Sequence, residues 1–203
     1  MIMSPSAKSA LSDDKNERIP PRERLLAAAA DLFYRHGIRA VGVESIAEAA
    51  GTNKMTLYRH FESKDHLVAE YLREAARCGD TAWARLAEAH PGDPLAQLRA
   101  WLRQTADHVA DAGERGCPLA NAAVELPEKG HPARAVIEEV KTRQRNQLVA
   151  LCEAARLTDA DMLADELNLL LEGARVTAQS VGPDGLGARL VRMSDALIAA
   201  HQR

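Results

Sequence analysis

Between residues 52 and 64 the chain gathers side chains that can donate hydrogen bonds: Thr52, Asn53, Lys54, Thr56, Tyr58, Arg59, His60 and Lys64. Hydroxyl, guanidinium and ammonium groups can hold phosphate oxygens, and a lysine can reach guanine O6 and N7 in a major groove. Leu57 and Phe61 interleave with the donors at helical spacing and anchor the same stretch inward. Lys64 follows Ser63, a candidate helix cap, and backbone N–H groups at a helix start form a seat for phosphate. Donors of these types on one face of a short helix can hold double-stranded DNA.

Other candidate chemistry is sparser. Asp107, His108 and Asp111 fall within one helical turn, but acids beside a lone histidine are common on solvated faces, and no metal is assigned. Gly182, Gly185 and Gly187 surround a proline and follow no strand, which gives a dinucleotide loop no support. No Ser-His-Asp or Cys-His constellation stands out, so neither an enzyme nor a cofactor is expected. Cys78, Cys117 and Cys152 are odd in number and lack metal-ligand spacing, as suits a reducing cytoplasm. Cys117 stands before Pro118 at a helix start, where a thiol can be acidified; a redox or electrophile sensor is the alternative reading. Trp83, Trp101, His108, Cys117, Asn121, Arg175 and Gln179 scatter over helices expected to surround a cavity. Apolar walls with a few polar groups describe a small-molecule pocket.

The elements that must position these groups are helices. Of 203 residues, 38 are alanine and 24 leucine, against 17 Val plus Ile and seven aromatics. That bias favours helix over strand, and the fold class is all-α. No apolar run approaches the ~20 residues of a membrane span, and the N-terminus has no apolar signal core. Residues 1–19 read as a flexible arm. Pro20-Pro21 and Gly37 bracket the first helix; short helices follow over Glu44 to Ala50 and Asn53 to His60, with Ala49 and Ala50 turned inward beside Ile46, and Tyr58 grouped with Leu57 and Phe61. A longer one runs over about 63–89. Asp93-Pro94, Cys117-Pro118 and His131-Pro132 open three more. Thr158-Asp159-Ala160-Asp161 has the spacing of a capping box before a helix over about 159–181, and the last helix spans about 185–201. The inner stripes of these two run to Val181 and through Met193 to Ala200. About nine helices are expected.

Two short helices separated by about three residues around Gly51 can cross and share a small core with the helix before them. In that arrangement the second helix can enter a major groove. The residues Ile46-Ala47-x-x-Ala50-Gly51-x-x-x-x-Thr56-Leu57-Tyr58-x-His60-Phe61-x-x-Lys64-x-x-Leu67, with Leu32-Phe33 and Gly37 upstream, resemble the TetR family of bacterial one-component transcription regulators. The resemblance covers about 50 residues and implies a three-helix helix-turn-helix DNA-binding domain over 20–66. It implies a helical ligand-binding and dimerisation domain over 67–203. It places Lys54, Met55 and Tyr58 near bases, and Thr56, Arg59, His60 and Lys64 near phosphates. The sequence departs from the family at Val41-Gly42-Val43, where a Thr or Ser often caps helix 2.

The whole chain carries a net charge of −3, which excludes a protein that coats nucleic acid by bulk positive charge. Residues 20–66 nevertheless sum to +1 and residues 67–203 to −4, so acidity belongs to the C-terminal body. The expectation is a cytoplasmic, ligand-responsive repressor. It would hold a palindromic operator as a homodimer built on its last two helices and release it when a small-molecule effector binds.

Overall fold

The computed structural model describes residues 19–202; the arm expected over residues 1–19 lies, apart from Ile19, outside the described residues. Among the described residues there are nine α-helices and no strand. They are α1 Pro21–His36, α2 Val43–Ala49, α3 Lys54–His60, α4 Lys64–Ala89 and α5 Pro94–Ala110, then α6 Pro118–Glu125, α7 Pro132–Ala154, α8 Ala160–Val181 and α9 Leu186–Ala200. The all-α expectation holds, and proline and glycine mark most of the boundaries as expected.

The chain divides into two compact units. One contains residues 19–78 and 118–138; the other contains residues 79–117 and 139–202. In the first, α1 packs on α2 and α3, and α2 on α3. Leu25, Ala29, Phe33, Ile46, Leu57, Phe61, Leu67 and Leu72 are buried there. Phe33 and Tyr71 meet with ring centroids 5.7 Å apart. This unit groups α6 with the N-terminal helices, whereas the 20–66 segment drawn from the motif takes in only α1 to α3 and the start of α4.

In the second unit Leu98, Leu102, Leu148, Leu163, Leu167, Leu171, Leu190 and Ile198 form one buried cluster, with Trp83 and Trp101 packed against its edge. Helices α5 and α9 approach closely at Gly187, where a Cβ would stand 2.8 Å from the Ala106 carbonyl oxygen.

Three local expectations are corrected. The capping box at Thr158 does not form, because Asp159 adopts a left-handed φ of 47° and its side chain caps nothing. A box requires an extended N-cap residue. Thr158 instead donates its N–H and hydroxyl to the His201 carbonyl, at 2.8 and 3.0 Å. On α2 the inward positions are Val43, Ile46 and Ala47, and Ala49 is exposed. Val181, Met193 and Ala200 are likewise exposed, while Tyr58 is exposed as its place among the donors asks. Met193 lies beside the buried line Leu190, Ser194, Ile198, and Val181 and Ala200 are the last residues of their helices.

Candidate nucleic-acid interface

The turn between α2 and α3 satisfies its own backbone. The N–H groups of Ala50, Gly51 and Thr52 donate to the carbonyls of Ile46, Glu48 and Ala47. Asn53 then caps α3: its Oδ1 accepts from the Thr56 N–H at 3.0 Å and from the Thr56 hydroxyl at 3.2 Å. An amide oxygen there satisfies one of the unpaired donors of a helix start, which a seven-residue helix needs. Leu57 and Phe61 are buried, and the Arg22 guanidinium lies 5.1 Å from the centre of the Phe61 ring.

With the inner edge anchored, Lys54, Met55, Tyr58, Arg59 and His60 all stand exposed, while Thr52 and Thr56 are half-buried. Met55 is 78% exposed and Tyr58 45%. The Lys54 ammonium lies 2.6 Å from Glu44 Oε1 and 6.0 Å from the centre of the Tyr58 ring. The hydrogen bond between Lys54 and Glu44 holds the carboxyl below its ordinary pKa and the ammonium above its own. Glu44 has no place among the donors read from the sequence. An acid in the first turn of a helix reads as a dipole partner, and only the fold brings it to Lys54.

Lys64 is placed differently from the other cations. Its Nζ donates to the Ile38 carbonyl at 2.7 Å and lies 5.9 Å from the centre of the Phe33 ring. Burial pushes its pKa down, against the opposing charges of Asp65 and Glu125. The ammonium is thus engaged inside its own unit. Ser63 caps α4 as expected, its Oγ accepting from the His66 N–H at 3.1 Å. At Val41-Gly42-Val43 the two valines are buried and Gly42 begins α2 with no side-chain capping bond.

A second polar cluster surrounds the turn between α1 and α2. Glu125, the last residue of α6, accepts from the Arg39 N–H at 3.1 Å, and Glu128 accepts from the Arg39 guanidinium at 3.0 Å. Gly37 has φ +86°, and a Cβ there would meet the Glu125 carboxylate at 3.1 Å. His131 Nε2 lies 3.3 Å from Asp65 Oδ1. No spacing rule links residues this far apart in sequence, so this clasp had no signal in the residue pattern.

The expected pocket residues fall into separate groups. Trp83 and Trp101 stack with centroids 5.3 Å apart and planes at 27°. His108 Nδ1 lies 2.6 Å from the Gln104 carbonyl of its own helix. Gln179 donates to the Arg115 carbonyl at 2.9 Å, and a Cβ on Gly116 would lie 3.7 Å from that of Arg175. Arg175 and Lys141 both donate to Glu172 Oε1, a residue missed in the sequence because a glutamate on an amphipathic helix reads as solvated. Cys117 is a half-buried free thiol. Asn121 is partly buried on α6, which belongs to the other unit. No group of three or more His, Cys, Asp or Glu residues that could hold a metal occurs among the described residues, and no described helix is long and apolar enough to cross a membrane.

Residues 25–71 match a family model described as bacterial regulatory proteins, tetR family. Residues 94–193 match one described as tetracyclin repressor-like, C-terminal domain. The chain is 45% identical over 62 residues to the HTH-type transcriptional repressor KstR2 of Rhodococcus jostii, a match that spans 30% of each chain. It is 30% identical over 177 residues to the transcriptional regulator AcuR of Cereibacter sphaeroides, covering 81% of this chain and 79% of AcuR. Among solved structures, a TetR-family transcriptional regulator from Streptomyces coelicolor superposes with a TM-score of 0.83 at 27% identity, covering 90% of this chain and 96% of that one.

Proposed function

Because this chain belongs to the TetR family of bacterial transcription regulators, we propose that it is a homodimeric, ligand-responsive repressor acting in the cytoplasm. It holds a palindromic operator through residues 20–66 and releases it when a small molecule binds within residues 67–203. The observation that carries the reading is the exposed face of α3, where Lys54, Met55, Tyr58, Arg59 and His60 project while Leu57 is fully buried. Lys54, Met55 and Tyr58 meet bases. Thr52, Asn53, Thr56, Arg59 and His60 hold phosphate and backbone oxygens, and Lys64 joins them if its bond to Ile38 opens. Repression is the reading that the similarity to KstR2, itself named a repressor, supports.

Two copies are joined through α8 and α9, and the effector site draws on Trp83, Trp101, His108, Cys117, Arg175 and Gln179. The clasp of Glu125 and Glu128 on the turn at Gly37 to Arg39 supplies a route for the signal. A displacement of α6 would change the support of α1 and α2. Such coupling requires the effector to prefer the conformation that does not fit DNA.

The test is a gel shift with duplexes from the region upstream of the gene, at several salt concentrations. An inverted-repeat duplex should bind far more tightly than a scrambled one, with affinity falling as salt rises. Tyr58→Ala should weaken the specific complex about tenfold or more. Equal binding of both duplexes, indifferent to Tyr58→Ala, would end the proposal.

A further inference from the structure

Glu44 stands in the first turn of α2, and its partner Lys54 is the first residue of α3. The two charges lie 2.6 Å apart, yet both side chains remain more than half exposed, Lys54 at 52% and Glu44 at 67%. With the Tyr58 ring beneath the ammonium, the three form one unit on the surface of the helix pair. A carboxylate at this place is costly for binding DNA in general. It repels phosphates, and it occupies one of only two Lys or Arg side chains between Val43 and His60, the other being Arg59. Such a residue weakens binding to every sequence unless some sequence offers it a donor.

One base pair does so in the right order. Across the major groove a G·C pair presents guanine N7 and O6, both acceptors, and then the N4 amino group of cytosine, a donor. A lysine suits the two acceptors and a glutamate the amino group. In the A·T pair the order is acceptor, donor, acceptor, methyl. An ammonium on the purine would then face the adenine amino group, and the carboxylate would face thymine O4. We propose that Glu44 is a specificity-determining residue, and that Glu44 and Lys54 together read a single G·C pair in each half-site. The ammonium sits on guanine and the carboxylate on cytosine. In the free protein the pair satisfies itself; a G·C pair offers each group a replacement partner, and no other base pair offers both. This inference rests on the reading that α3 enters the groove.

Selection from a pool of random duplexes tests it, using the full chain and the variants Glu44→Ala, Lys54→Ala and the double variant. Both side chains are exposed, and equal melting temperatures confirm that the fold is kept. The wild-type protein should enrich half-sites with one fixed G·C position, at which exchange to A·T weakens binding roughly tenfold. Glu44→Ala should relax that position and no other. It should also bind random DNA severalfold more tightly, with the slope of log affinity against log salt steeper by about one, because the freed ammonium turns to phosphate. Lys54→Ala and the double variant should lose the same position, and adding Glu44→Ala to Lys54→Ala should change the preference no further. If the wild-type and Glu44→Ala proteins enrich the same sites with equal discrimination, the inference is wrong while groove reading by α3 survives. If the wild type enriches no sequence at all, groove reading fails and this inference falls with it.

Discussion

Glu172 places two cations on one carboxylate oxygen, Lys141 Nζ at 2.6 Å and an Arg175 guanidinium nitrogen at 2.9 Å. About a quarter of each of the three side chains is exposed. Burial pushes the carboxyl pKa up, but the charges of Arg175 and Lys141 outweigh it and leave it below its ordinary 4.5. A carboxylate whose pKa is lower in the folded state stabilises the fold fully above its unfolded value. That contribution fades as pH falls from there through the folded value. Glu172→Gln should therefore cost about 1–2 kcal/mol at pH 7, since two partly buried cations lose their counter-charge and solvent screens part of the loss. The gap between variant and wild type should narrow from about pH 4.5 downward. Denaturant melts at pH 7 and pH 4 measure it, and a gap that stays constant with pH would rule out the charge cluster as its source. The exposed face of α3 was legible in the sequence. The donors of α3 stood out because Leu57 and Phe61 fixed its inner edge. Glu44 and Glu172 did not, since an acid on a helix looks solvated until a neighbouring helix brings a cation to it.

At the scale of elements, the positions of the helices follow from proline, glycine and capping residues that act within a few residues of themselves, and the order of the nine helices among the described residues could be read for that reason. Which helices touch is decided by contacts no local rule contains. The turn at Gly37 is held by a carboxylate on α6, and the Thr158 hydroxyl finds a carbonyl at the end of α9 in place of its own helix start. The α5–α9 contact is the tightest test of such packing. A Cβ at Gly187 would stand 2.8 Å from the Ala106 carbonyl oxygen and 3.2 Å from the Ala110 Cβ, so backbone and not a flexible side chain must move. Alanine is otherwise the better helix former by about 1 kcal/mol. Gly187→Ala should nonetheless destabilise by roughly 1–3 kcal/mol, because overpacking outweighs propensity. For a chain of this size each kcal/mol lowers Tm by about 2–4 °C. A thermal melt with unchanged or raised Tm would show that the two helices can part without loss.

At the scale of the molecule, the proposed reading of both halves of a palindrome joins two copies. The charge division helps decide where. Residues 67–203 carry the net −4 and residues 20–66 the net +1, so a seam between C-terminal bodies has to be made largely of apolar contact. Helix α8 offers it: Met162, Leu169 and Val176 recur at seven-residue steps and are 59%, 71% and 62% exposed, although neighbouring Leu163, Leu167 and Leu171 are fully or almost fully buried. A repeat of seven keeps these side chains on one stripe of the helix, the pattern of helices packed side by side. Burying one such side chain contributes about 1.5–3 kcal/mol. A charge in the middle of the stripe loses that contribution and must also be desolvated. Leu169→Glu should therefore halve the mass measured by light scattering. The exposed position predicts retained helix content by circular dichroism. Binding to a full palindrome should fall about 10²-fold or more, because the second head no longer arrives already tethered, while binding to an isolated half-site should change little. A dimeric mass with undiminished affinity for the palindrome would place the seam elsewhere. A monomeric mass with undiminished affinity would mean that two heads meet on DNA without a seam, and the requirement for a preformed dimer would fall.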